Sequence, residues 1–412
     1  MSKGDACWST TKVVLGWVID TVMGTIELPE HRRARLLTIL QSIKPGQRRV
    51  STQTWHKVLG ELRSMAIAVP GSRGLFSTLQ EAFRHPEPDG NRLRLHKHVH
   101  DFLEDWRWLA ASITTRPTRI AEIIANQQPH ILGATDAAKA GMGGVIFADE
   151  DLPPLLWREP FPEHVQSRLV SFSNPTGTIT NSDLELAGTI AQHDIIAQHC
   201  HAAEKTIHTL TDNSPAVHWQ TKGSTTTTGP AAYLLRLQSL HSRHYRYLTR
   251  YSHIPGTANL MADLCSRAWH LSDSQLLTYF NLHFPQDVPW QLCRLRPRMN
   301  SALITSLYKK RSELASLLSE QPHTTITTNA GKPSVTSISS TPRSNRSKTQ
   351  CLSSKSLLND IAMDASLPAK DKSQLEQWRT PYEQWHRHMP AWGPKIHAKT
   401  PLARSISEST DN

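Results

Sequence analysis

Four carboxylates spread over the middle of this chain have the types and the surroundings for shared chemistry. Asp136 closes the apolar run Ile131-Leu132-Gly133-Ala134-Thr135 and precedes a glycine-rich turn, Gly141-Met142-Gly143-Gly144. Glu185 lies in the first turns of a helix opened by Asn181-Ser182, and Asp212 ends the extended run from Thr206. Asp263 follows the Pro255-Gly256-Thr257 turn by six residues. Taken singly, each has an ordinary explanation: an Asp at a strand end forms turns, and a Glu near a helix start suits the macrodipole. The intervals of 49, 27 and 51 residues mean that only a tertiary fold can unite them. Once together, carboxylates raise each other's pKa unless cations neutralise them. Hard oxygen ligands suit Mg²⁺ or Mn²⁺. Two such ions about 4 Å apart clamp the attacking and leaving oxygens of a phosphoryl displacement.

The elements that must position these acids can be read from periodicity. Strands are expected at 131–136, 143–147, 169–172, 206–212 and about 247–254, with helices at 181–199, 230–241 and 258–269. The order is strand, strand, strand, helix, strand, helix, strand, helix, which reads as an α/β fold, a five-stranded mixed sheet with flanking helices. Upstream, Val13–Asp20 and Thr25–Pro29 flank Gly24 as a hairpin. Amphipathic helices follow from Pro29-Glu30, after Ser51-Thr52, through Leu75 to Phe83, and around Phe102 to Leu109. The expected organisation is a hairpin and helical region at 1–125, the sheet domain at 126–270, a basic helical extension at 271–321, and a tail at 322–412. That tail is rich in Ser, Thr, Pro and basic residues and is expected to be disordered. Its Trp378, Trp385 and Trp392 form a patch that could fold on a partner.

Charge follows the same divisions. Of the net +11, residues 1–125 carry +6, 126–270 carry −2, 271–321 carry +2 and 322–412 carry +5. An acidic middle between basic flanks fits a carboxylate site served by polyanion-binding arms, and solubility charge alone explains it equally well. No run of eighteen apolar residues occurs, so no membrane span is expected. The start Met1–Asp5 leads into Cys7-Trp8 without an apolar stretch, so no secretory signal is expected. The five cysteines, Cys7, Cys200, Cys265, Cys293 and Cys351, form no Cys-x-x-Cys pair. A reducing, intracellular setting is expected, nuclear or cytoplasmic.

Four blocks now resemble one family. They are Thr135–Val145, Asn181–Ala187, Leu210–Ser214 and His253–Arg267, which look like the ribonuclease H domain of retrotransposon reverse transcriptases, DIRS-like tyrosine-recombinase elements in wording. Residues 12–125 are similar to the hairpin and thumb that follow a polymerase palm. The resemblance spans roughly 8–315. It implies that Asp136, Glu185, Asp212 and Asp263 are the catalytic, metal-binding acids, with two Mg²⁺ or Mn²⁺ ions and an RNA–DNA hybrid as substrate. A chain of this kind could also pair with a separate polymerase chain. Two departures stand out. No Asp-Asp pair occurs anywhere, so the polymerase motif is absent, and Thr257 stands where many ribonucleases H carry a histidine.

Around this centre, Arg243, Arg246 and Arg250, interleaved with Tyr245 and Tyr247, could hold hybrid phosphates. A plain solvated strand lead-in explains them equally well. His193, His199, Cys200 and His201 invite a metal reading, but only His193 and Cys200 share a helix face. Trp55, Trp106 and Trp108 read as core. The rival to a hydrolase is a retroelement remnant that binds nucleic acid, or serves as a structural module, without turnover.

Overall fold

The computed structural model describes residues 9–313 except 89, 127, 128, 149–151, 227 and 228. The tail at 322–412 and its tryptophans lie outside the described residues.

The upstream region begins with strands β1 (Thr11–Val14), β2 (Trp17–Asp20) and β3 (Thr25–Glu27), which with β6 (Thr118–Arg119) form an antiparallel sheet in the order β1-β2-β3-β6. The single run expected from Val13 to Asp20 is thus two strands. Leu15 and Gly16 adopt φ of 50° and 81°, the left-handed pair of a two-residue hairpin, so the chain reverses where composition alone reads on. The helices are α1 (Glu30–Ser42), α2 (Thr52–Met65), α3 (Phe76–Glu81) and α4 (Lys97–Thr115), with a short ribbon of β4 (Arg49–Ser51) and β5 (Arg92–Arg94). Ser51 caps α2 by accepting a hydrogen bond from the Thr54 amide at 3.0 Å. Trp55, Leu62, Phe102, Trp106 and Leu109 close this core, each fully buried. Trp55 and Trp106 are therefore core residues, as expected.

The second part is a six-stranded, mixed sheet. Its strands are β7 (Ile131–Ala137), β8 (Gly141–Phe147), β9 (Leu155–Pro160), β10 (Thr206–Thr211), β11 (Leu248–His253) and β12 (Gln291–Cys293), ordered β11-β10-β7-β8-β9-β12. β7, β8 and β9 pair antiparallel, and β10 and β11 run parallel to β7. β12 pairs parallel with β9 at the edge. The strands of this sheet alternate between two cores. Ile131, Ile146 and Trp157 face α6 (Asn181–His199), α8 (Pro230–Tyr245) and α11 (Pro297–Leu307). Leu132, Val145 and Leu156 face α9 (Leu260–Arg267) and α10 (Asp273–His283). Two short helices, α5 (Glu163–Gln166) and α7 (Ser214–Lys222), complete the set.

Two expectations are corrected. The third strand is Leu155–Pro160, not 169–172, where only isolated bridges Leu169↔Ile179 and Ser171↔Asn174 form. The flanking prolines disguise Leu155-Leu156-Trp157 as a loop, yet they sit at the strand's ends, and Pro154 supplies only its carbonyl, to Gln291 at 3.0 Å. The segment from 271 is not purely helical either. It supplies the sixth strand, and Phe280, Phe284, Trp290, Met299 and Leu303 are buried in the cores of the sheet.

Candidate metal centre

The carboxylates meet because two neighbouring strands end, and one helix begins, at the same end of the sheet. Asp136 sits near the end of β7, a strand buried along its whole length, as a central strand covered on both faces must be. Asp212 follows the last residue of β10, which runs parallel beside β7. Asn213 then caps α7, its side-chain oxygen accepting from the Ala216 amide at 3.0 Å. Glu185 comes from α6, whose start is fixed by a reciprocal cap: Asp183 N–H donates to Thr180 Oγ1 at 3.2 Å, and Thr180 N–H donates to Asp183 Oδ2 at 2.8 Å. One oxygen from each of Asp136, Glu185 and Asp212 lies within 4.8 Å of the others.

Close approach of backbones makes this possible. A β-carbon on Gly143, which pairs with Asp136, would stand 2.6 Å from Cys265 Cβ. Glycine there lets α9 lie directly on β8. That contact brings Ser266 to Asp136, whose Oδ2 accepts a short hydrogen bond from the serine hydroxyl. Asn259 ties the start of α9 to the carbonyl of Thr135 at 3.0 Å. Asp263 stands at the rim, its Oδ1 2.5 Å from Arg267 Nε, which is itself 3.9 Å from Asp136 Oδ2. Three of the four expected acids are thus gathered, and the fourth is held beside them by an arginine.

The electrostatics are those of crowded, buried acids. Burial pushes Asp136 up to about 6, against the Ser266 hydrogen bond, with Asp263 and Asp212 pushing further upward. Glu185 is driven well above the usual carboxylate range by burial and then by Asp136 and Asp212. Thr211 Oγ1 donates to Glu185 Oε2 at 3.3 Å. Asp263 is raised by burial, with Arg267 opposing. Acids that disfavour each other's charge in this way, offering oxygen donors alone, fit a hard divalent cation.

The remaining expected residues fall elsewhere. Arg243 is buried and donates to Glu122 Oε2 at 2.8 Å, and Arg246 Nη2 donates to Glu122 Oε1 at 3.0 Å. That end of α8 packs against the upstream region, so both guanidinia face a buried carboxylate where phosphate contacts were expected. Arg250 Nη1 reaches the Asn126 carbonyl at 3.4 Å. His193 is buried, its Nε2 3.1 Å from Thr209 Oγ1. Thr257 lies exposed in a 3-10 turn, and the His253 ring reaches the carbonyl of Asp212 at 3.1 Å. Sequence reading missed Thr211, Ser266 and Arg267. The last two stand three and four residues after Asp263, the spacing of neighbours on one helix face.

No known protein family matches this chain, and no curated protein matches it. Among solved structures it is similar to a foamy viral protease-reverse transcriptase in three complexes. The first, termed dRH, is with double-stranded DNA (12% identity, TM-score 0.25, 59% of this chain and 38% of that one). The second is with an RNA/DNA hybrid (10%, 0.25, 59% and 29%). The third is with double-stranded DNA (12%, 0.25, 60% and 45%). The chain spans less than half the length of each, and at that TM-score the likeness fixes neither fold nor function. Among the described residues, no helix is long and apolar enough to cross a membrane.

Proposed function

We propose that this chain is a retroelement-type, ribonuclease H-like hydrolase that cuts the RNA strand of RNA–DNA hybrids. The observation that carries the reading is the convergence of Asp136, Glu185 and Asp212 within 4.8 Å from a central strand, a helix start and a parallel strand end. The five strands β11-β10-β7-β8-β9, three antiparallel and two parallel to the first, support the same reading. So do the four sequence blocks that hold the acids. On this reading 126–270 is the hydrolytic domain, 1–125 a thumb- and connection-like region, 271–321 an extension, and the tail a basic arm. With no Asp-Asp pair in the sequence, the chain is not a polymerase as it stands.

Asp136, Glu185 and Asp212 would hold two Mg²⁺ or Mn²⁺ ions, with Asp263 completing the set. When bound, such ions supply charge neutralisation and a nucleophilic water for phosphodiester attack. The protein's own part is to keep the acids aimed. Ser266 orients Asp136, Thr211 holds Glu185, and Arg267 restrains Asp263 at the rim. On this reading Glu185 and nearby backbone would read the 2′-hydroxyl that distinguishes RNA from DNA.

The test is Mg²⁺-dependent cleavage of an end-labelled RNA–DNA hybrid by the full chain, beside Asp136→Asn and Asp212→Asn. Cleavage present in the parent and lost in both variants, with hybrid binding retained, is the expected result. A folded chain that binds hybrid and never cuts it would instead mark a binding module without turnover.

A further inference from the structure

The chain that leads into α6 carries a feature the acid centre does not use. Phe172 is the most exposed of the large apolar side chains among the described residues, while the other seven phenylalanines are buried or half-buried. Val170, two residues before it, is exposed as well. A lone apolar side chain in water is ordinary, but this one is held in place. Asn174 Nδ2 donates to the carbonyls of Ser167 and Leu169, both at 3.0 Å. Val170 N–H donates to the Ile179 carbonyl at 2.8 Å, and Ser171 and Asn174 exchange backbone hydrogen bonds at 3.1 and 3.0 Å. Leu169 packs on the core beneath, and the Arg168 guanidinium lies 4.4 Å from the centroid of the Tyr308 ring. The loop at 167–179 is thus a pinned turn that presents a phenyl ring to solvent.

Its place relative to the acids follows from the sheet register. Asp136 on β7 pairs with Gly143 on β8, which pairs with Arg158 on β9. β9 therefore ends two residues past the level of Asp136, at Pro160, and two strands away, about 10 Å. The chain then passes through α5 and this loop and returns as α6, with Ile179 six residues before Glu185. Ring and acids thus belong to the same end of the sheet. The surroundings of the ring suit a polyanion. No acid occurs from His164 to Ser182, a stretch that holds Arg168 and the exposed hydroxyls of Ser171, Ser173, Thr176 and Thr178. Lys139, exposed in the turn between β7 and β8, adds a second cation at this end.

We propose that this loop is a nucleic-acid contact, in which Phe172 and Val170 lie in the minor groove of the hybrid beside the stretch that is cut, and Arg168 and the hydroxyls take the flanking phosphates and sugars. The substrate in this inference rests on the hydrolase reading. Arginine and hydroxyl groups hold phosphates and sugars without reading sequence. An apolar wedge in a minor groove presses on a base step whatever its bases. The wide, shallow minor groove of an A-form helix gives such a ring room. Two apolar side chains among hydroxyls are too small a patch for a stable protein interface, which takes about 800 Å² from each partner. Because the loop is pinned before any substrate arrives, little ordering is left to oppose binding.

The test measures binding of a fluorescently labelled RNA–DNA hybrid by anisotropy, in the full chain carrying Asp136→Asn so that nothing is cut. Adding Phe172→Ala should weaken binding about tenfold while leaving the melting temperature and the salt dependence as they were. Phe172→Trp should restore the affinity. Arg168→Gln should instead make the slope of log affinity against log salt shallower by about one. With Asp136 intact, Phe172→Ala should raise the KM for hybrid by a factor like that seen in binding. Equal affinity with and without the phenyl ring would overturn the proposal, as would a chain that binds no hybrid. So would self-association that Phe172→Ala abolishes with hybrid affinity unchanged, since the ring would then meet a second copy. A chain that binds hybrid through Phe172 and never cuts it, even with Asp136 intact, would overturn the hydrolase and leave this contact standing.

Discussion

Asp136 shows how one side chain can be set by a neighbour that contributes no charge. Ser266 donates to its Oδ2 and so fixes which way the carboxylate faces, while Arg267 restrains Asp263 beside it. Partners of this kind are worth about 10–100-fold in metal affinity where they have been removed from other centres. Ser266→Ala should therefore raise the Mg²⁺ concentration needed for half-maximal cleavage by roughly 10-fold or more, with little change in melting temperature. An unchanged Mg²⁺ dependence would show that the hydroxyl merely fills space. At this scale the sequence was readable for acids and opaque for their supports. An Asp that closes an apolar run stands out, whereas Ser266 is one serine among many until α9 is laid on β8. The arginines near Tyr245 illustrate the converse. Their composition suited phosphates, but Glu122, more than a hundred residues upstream, had already claimed Arg243 and Arg246.

Among the elements, the contact of β8 with α9 matters most for the centre. Gly143→Ala would force a methyl to within 2.6 Å of Cys265 Cβ. The helix must then lift, at a cost of about 1–3 kcal/mol. Urea unfolding should show that loss, and the same variant should cleave poorly, because Ser266 and Asp263 travel with the helix. Full stability in Gly143→Ala would mean that α9 yields without strain. The helices were legible in advance because caps and breakers mark their ends, Ser51 for α2 and Pro29 for α1, although α6, expected to open on Asn181-Ser182, is capped by Thr180 with Asp183. Strands were harder. β9 hides between prolines, and β12 is three residues long in a segment that reads as helical. Leu169–Phe172 has strand-like composition but finds only bridges, leaving Phe172 wholly exposed. Pairing decides a strand, and the pairing partners lie far away in sequence.

Over the whole molecule, buried histidines give stability a defined pH dependence. Burial holds His208 down to about 4, His283 to about 4 and His193 to about 3. An unfolded histidine takes up its proton near 6.5. These contributions are therefore fully present above about pH 6.5 and are lost as pH falls toward 4. Each such histidine costs the fold about 1.4 kcal/mol per pH unit in that window. The urea midpoint should drop clearly between pH 7 and pH 5, and His208→Gln should make the drop shallower. A midpoint indifferent to pH across that range would refute the account. The charge distribution read from the sequence fitted polyanion partners and plain solubility alike, but it could not foresee that so many titratable groups would be interior.

Leu240 belongs to α8, a helix that covers the sheet, yet it is buried in the upstream core, and Arg236 of the same helix is paired with Asp105 in α4 by contacts that exclude water from both. A buried pair broken by removing one partner costs about 3–5 kcal/mol. Genetic exchange at the junction near residue 125 would strand Arg236 and Arg243 without their counter-charges and bare the apolar side of α8. The sheet with its acids is therefore not a cassette that recombination can pass on by itself. It is inherited, and lost, together with the hairpin and helices that precede it.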